Sequence, residues 1–207
     1  MLNRYFDSEG NIDFIYANIV VKNIYFALIS LDYILNKLDY NIGVYHDEHT
    51  YYFFYIQSLL TACGNISNVF YNAGGRGGKI ATQRSQRLRN TFNITKSLYP
   101  LVFQKEVRNT NAHFDERYEQ FGGNIGDYNL LDQNTDFNMR TTIMQNPHLR
   151  TYDKESGIYY TYNNKMNQIS YDFNQLNCEL RTMLSTIIKN PIFKSGWVDS
   201  PPEEIIK

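Results

Sequence analysis

Apolar residues recur at three- and four-residue spacing over most of this chain, which is the signature of packed helices. The stretch Ile12 to Leu38 predicts a long first helix, with Asn11 as its N-cap and Asp13 in its first turn. Ile15, Ile19, Phe26, Ile34 and Leu38 recur along it at spacings compatible with one face, and Asn41-Ile42-Gly43 ends it. A second helix is expected from about Asp47 to Phe70, its apolar stripe formed by Tyr52, Ile56, Leu59, Leu60, Cys63, Ile66 and Phe70. Gly64 interrupts that stripe, which in a helix interior points to close helix packing. The glycine-rich run Asn72 to Gly78 predicts an irregular loop, followed by a short basic helix over roughly Ile80 to Phe92. Pro100 suits the first turn of a further helix reaching about Phe121, where Gly122-Gly123 stops it.

From Asn124 to Ser170 the period changes from helical to alternating. Arg150-Thr151-Tyr152 and Ile158-Tyr159-Tyr160-Thr161-Tyr162 read as strands, and Asp153-Lys154-Glu155-Ser156-Gly157 reads as the turn between them. Asp172 then caps a last helix to about Lys189, ahead of Pro191 and a tail containing Trp197. The expected fold is mainly α: four or five helices with a small β-hairpin or meander insertion. As one domain, it divides into a helical core over 1–122, a β-rich insertion over 123–170, a C-terminal helix over 171–190 and a tail over 191–207.

Composition narrows the setting. At 207 residues the chain is long enough to bury a core without disulfides or metals. Cys63 and Cys178 have neither disulfide nor zinc spacing and are expected to be buried, reduced thiols. The greasiest segment, Ile12 to Leu35, carries Asp13, Asn18, Lys22, Asn23, Ser30 and Asp32, too much polarity for an expected membrane span. A cytoplasmic protein with no membrane partner is therefore expected. The 18 tyrosines and 13 phenylalanines predict wide, half-wet packing surfaces. The formal charge is only −1, yet Arg76, Lys79, Arg84, Arg87, Arg89, Lys96, Lys105 and Arg108 face only Glu106 across that interval. A local basic segment of this kind can attract phosphates on a near-neutral molecule.

The segment best suited to chemistry is Lys105 to Arg117. On a helix Asn109 and His113 share a face, Glu116 lies one turn further, and the long Arg108 side chain reaches the same edge. Guanidinium, amide, imidazole and carboxylate together suit RNA cleavage. An imidazole, with an ordinary pKa near 6.5, can take the proton of a ribose 2′-OH, and a guanidinium can hold the charge gathering on phosphorus. On this reading His113 and Arg108 are catalytic, Asn109 orients the imidazole or the phosphate, and Glu116 holds the imidazole tautomer. No metal or cofactor is needed. Chance alone supplies roughly 0.6 Arg-x(4–6)-His pairs in such a chain, so the pattern gains weight only from its neighbours and its helix.

Those neighbours resemble a known group. An Arg-polar-x3-His element on a late helix is similar to the HEPN superfamily. Ser58 to Ser67, Arg87-Leu88-Arg89, and Arg108-Asn109 through His113-Phe114-Asp115-Glu116-Arg117 are together similar to an uncharacterised bacterial HEPN-like group. The resemblance covers roughly Ile56 to Phe121 and, more faintly, Arg150 to Leu184. It implies a helical bundle forming a homodimer whose motif helices face each other, RNA as substrate, and a cognate antitoxin or defence-system protein as a further partner. It also implies Arg108 and His113 as catalytic residues with Asn109 supporting. Arg84, Arg87, Arg89 and Lys105 are then expected to bind RNA, with Asp115 and Glu116 as supporting carboxylates. The alternative function is a non-catalytic HEPN-like dimeric interaction or regulatory module.

Other motifs carry less. Gly74 to Lys79 has the wrong spacing for a phosphate loop, and Ile80 stands where a metal-binding hydroxyl belongs. His46-Asp47-Glu48-His49 lacks a further ligand, and its carboxylates suit a helix N-terminus. Tyr159, Tyr160 and Tyr162 could stack on bases or pack a two-sided sheet.

Overall fold

The computed structural model describes residues 8–36, 48–72, 78–113, 135, 150–163, 165 and 167–196. Among them are six helices and one sheet. The helices are α1 (Ser8–Leu35), α2 (Glu48–Tyr71), α3 (Gly78–Phe92), α4 (Lys105–Ala112), α5 (Phe173–Lys189) and α6 (Pro191–Gly196). The strands β1 (Arg150–Asp153), β2 (Ile158–Tyr162) and β3 (Gln168–Asp172) form an antiparallel meander in that order. The mainly helical fold with a small β insertion agrees with the pattern of the chain.

α1 and α2 form the most extensive pairing, and α5 and α6 pack on α1 while α3 and α4 pack on α2. The core side of α1 is Ala17, Val20, Val21, Ile24, Ala27, Leu28, Leu31 and Ile34. This corrects the expected face: Ile15, Ile19 and Phe26 point to solvent, and Leu38 lies outside the described residues. Helical spacing cannot choose between two apolar faces on one helix, and α1 has two. Asn11 is likewise not an N-cap, because the helix starts at Ser8. On α2 the expected stripe from Tyr52 to Phe70 is buried throughout.

The start of α4 also differs from expectation. Pro100 sits in a turn, with Tyr99 N–H donating to Thr95 O at 3.2 Å and Phe103 N–H to Tyr99 O at 3.3 Å, and regular helix begins at Lys105. Glu179 on α5 explains that turn's hold on the core. Its Oε2 accepts from the N–H groups of Leu101 and Val102 at 3.0 and 3.1 Å, satisfying donors that a helix beginning at Pro100 would leave to solvent. The expected continuation to Phe121 lies outside the described residues.

The sheet uses tyrosine as a core residue. Tyr152, Tyr159 and Tyr171 are cross-strand partners in one row and are all buried. Their rings surround Phe173, with centroids 5.5 to 5.9 Å away. Asp172 caps α5 by accepting from Gln175 N–H at 3.0 Å, as its position predicts. The turn before β2 closes through Gly157 N–H to Asp153 O at 2.8 Å. Gly157 takes φ +73°, a left-handed conformation that favours glycine.

Candidate functional site

Arg108 leaves α4 toward α2, where Gly64 gives it room. A Cβ built on Gly64 would lie 3.5 Å from Arg108 Nη1. The guanidinium donates through Nη2 to Ser67 Oγ at 3.1 Å and through Nε to Gln104 O at 3.3 Å. Beneath it lie Cys63 and Tyr171, both buried. Burial pushes the Cys63 thiol up to about 12 and raises the Tyr171 phenol well above its ordinary value. Both are neutral at pH 7, so neither supplies a negative charge. Burial lowers the Arg108 pKa from the ordinary guanidinium value, yet arginine stays protonated in proteins. Among the described residues no carboxylate forms an ion pair with Arg108; the ion pair found there joins Arg87 to Asp13. Arg108 is, among the described residues, a half-buried cation bonded to neutral groups.

That cation opens into a groove of about 340 Å³ between α2 and α4. Arg108, Asn109 and Lys105 line it from α4, and Thr61, Gly64 and Asn68 line it from α2. Cationic and amide donors so arranged suit a phosphate or carboxylate ligand. Asn111, another lining residue, accepts from Arg150 Nη1 at 3.3 Å, which ties α4 to β1.

The other expected site residues divide. Asn109 is exposed and shares the groove with Arg108. His113 is exposed at the C-terminal cap of α4, its N–H donating to Asn109 O at 3.1 Å. It follows Ala112, the last α4 residue lining the groove, but is not itself among the lining residues. Asp115 and Glu116 lie outside the described residues, as do His46, Asp47 and His148. Lys105 is exposed at the groove. The α3 arginines are engaged elsewhere. Arg87 makes a two-pronged contact with Asp13 of α1, 2.8 to 3.0 Å. Arg84 lies over the Tyr16 ring and donates to its hydroxyl at 3.0 Å. Arg89 lies over the Tyr71 ring and donates to Phe70 O. Tyr159 is fully buried and so is closed to base stacking.

The chain matches no protein family, no curated protein and no solved structure. Its function is therefore argued from its own groove. The sequence assigns no site role to Ser67 or to Gln57, Thr61 and Asn68 of α2; Ser58 to Ser67 enters only through the family resemblance, and Gly64 only as a glycine inside an otherwise strong helix. Cys178, expected to be buried, is exposed. Among the described residues no cluster of His, Cys, Asp and Glu is arranged to hold a metal ion. The segment Ile12–Leu35, expected to be too polar for a membrane span, is by length and composition apolar enough to cross one, because its polar residues are spread singly among apolar ones; half of its apolar window is buried in the core.

Proposed function

We propose that the chain is a cytoplasmic, metal-independent RNA endonuclease of the HEPN type, serving bacterial defence or a toxin–antitoxin pair. The observation that carries the reading is Arg108, a half-buried guanidinium lacking a carboxylate partner among the described residues and lining an open groove with Asn109 and Lys105. A phosphodiester is the natural anion for it. In the proposed reaction His113 takes the proton from a ribose 2′-OH, the 2′ oxygen attacks phosphorus, and the bond to the 5′ oxygen breaks. The products are a 2′,3′-cyclic phosphate and a 5′-OH, the latter protonated from solvent or by His113 acting as acid. Arg108 holds the charge on the pentacoordinate phosphorus. The test is cleavage of single-stranded RNA in EDTA by the purified full chain. Cleavage should persist in EDTA and fall by at least 100-fold in His113→Ala with the helical circular dichroism unchanged.

A second reading is favoured by one specific observation. Arg108 also ties α4 to α2 through Ser67, and His113 does not line the groove. On that reading the chain is a non-catalytic interaction module that binds an anionic partner. RNA then survives intact with wild type, while Arg108→Gln still weakens partner binding.

A further inference from the structure

α1 carries a second apolar face that the core does not use. Ile12, Ile15, Ile19, Phe26 and Ile29 are 40–59% exposed on it, and Phe54 of α2 beside it is 63% exposed. Their spacing is a heptad: Ile12, Ile19, Phe26 and Tyr33 occupy the a positions, and Ile15, Lys22 and Ile29 the d positions. The core side of the same helix falls on the remaining positions. A globular helix needs only one stripe, so the second has no role within the described fold.

We infer that this seam is the surface on which a second copy of the chain docks, α1 against α1 in antiparallel orientation. Three observations choose that occupant. Knobs-into-holes packing requires a partner helix with the same repeat, and the seam itself is such a helix over nearly four heptads. The area is also of the right order. With the two phenylalanines presenting roughly 150–250 Å² each when fully exposed and the isoleucines somewhat less, the six exposures put on the order of 500 Å² of apolar surface on one face. That approaches the roughly 800 Å² per partner of a stable interface. Lys22 sets the direction. A parallel in-register pair would set Lys22 against its own copy, whereas an antiparallel pair sets it in the layer of the partner's Phe26, over whose ring an ammonium is attracted. The same two-fold arrangement layers Ile12 with the partner's Asn36 and Ile19 with its Ile29, and it closes as a dimer.

The α1–α2 side of this face is concave, a cavity of about 600 Å³ lined by Phe26, Ile29, Phe54 and Tyr55, which gives the partner's side chains a place to insert. Gln57 and Thr61 line both this cavity and the Arg108 groove. A docked copy therefore stands beside the cationic groove.

This seam lies on α1 and not on the motif helix α4, so it differs from the facing arrangement that the HEPN resemblance implies; association and RNA cleavage are measured separately. Sedimentation of the full chain should show a dimer at micromolar concentration. Ile19→Glu with Phe26→Glu should raise its dissociation constant at least 100-fold with the helical circular dichroism retained, because both positions are exposed. Lys22→Leu should tighten the dimer. In a Cys178→Ser background, Ile12→Cys chains mixed with Asn36→Cys chains should form a disulfide, and Ile12→Cys chains alone should not. A monomer at 100 µM, with the face covered by the chain's own remaining segments or by lipid vesicles, overturns the proposal. A dimer indifferent to the two glutamates does the same, and Ile12→Cys pairing with itself overturns the antiparallel arrangement.

Discussion

Two residues beside the Arg108 guanidinium, Cys63 and Gly64, show how local environment governs chemistry. Cys63 is fully buried, and desolvation raises its pKa to about 12, outweighing the opposing pull of the Arg108 charge. Only the thiolate is nucleophilic, so Cys63 should be inert in the folded protein. Cys178 on α5 is exposed. Iodoacetamide at pH 8 should therefore label one thiol per folded chain, at Cys178, and a second only on unfolding, as read by mass spectrometry of the digested protein. Rapid labelling of Cys63 in the native state contradicts the packing described. Gly64 offers a complementary probe. A methyl there meets Arg108 Nη1 at 3.5 Å, an ordinary contact distance, and alanine is the better helix former by about 1 kcal/mol. Gly64→Ala should raise stability by up to about that amount in urea titration and leave the guanidinium in place. Gly64→Leu has no such space and should displace Arg108 from Ser67, weakening anion binding in the groove.

At the scale of elements, periodicity revealed those helices that have one apolar side. The α2 stripe and the Asp172 cap of α5 could be read directly, and the Asp153-to-Gly157 turn announced its hairpin. α1 could be located but not oriented, because its heptad seam and its core face are both apolar. The start of α4 was illegible for another reason. Glu179, 78 residues from Leu101 in sequence, satisfies the backbone of the preceding turn, and no local pattern encodes so distant a bond. Burial raises the Glu179 pKa above the ordinary carboxylate range, although the Val102 and Leu101 N–H groups oppose the shift. The folded chain then keeps a proton that the unfolded chain releases. The associated stability is fully present below the ordinary carboxyl value, about 4.3, and is lost as pH rises through the raised folded value. Glu179→Gln retains an oxygen for both N–H groups and has nothing to titrate. Its melting temperature should gain on wild type as pH rises from 4 through mildly acidic values. A constant difference across that range would assign the pH effect to another group.

For the whole molecule the question is which basic residues face outward. In sequence the charges from Arg76 to Arg108 look equivalent, but the fold sorts them. Arg87 is bound to the buried carboxylate of Asp13, and Arg84 and Arg89 rest on tyrosine rings. Arg108 and the exposed Lys105 line the groove instead. Single-stranded RNA binding releases counterions, and the slope of log affinity against log salt changes by about 0.7 for each phosphate contact. Arg108→Gln and Lys105→Gln should each reduce that slope by about 0.7, measured by fluorescence anisotropy of a labelled oligonucleotide. Arg87→Gln should leave the slope unchanged and act on stability, because it abandons Asp13 as a buried, unpaired carboxylate, a loss of about 3 kcal/mol. If Arg87→Gln flattens the salt dependence while Arg108→Gln does not, RNA lies across α3 rather than in the α2–α4 groove. Arg108 would then be left as a tie between helices, and the cleavage chemistry assigned to it would lose its transition-state cation.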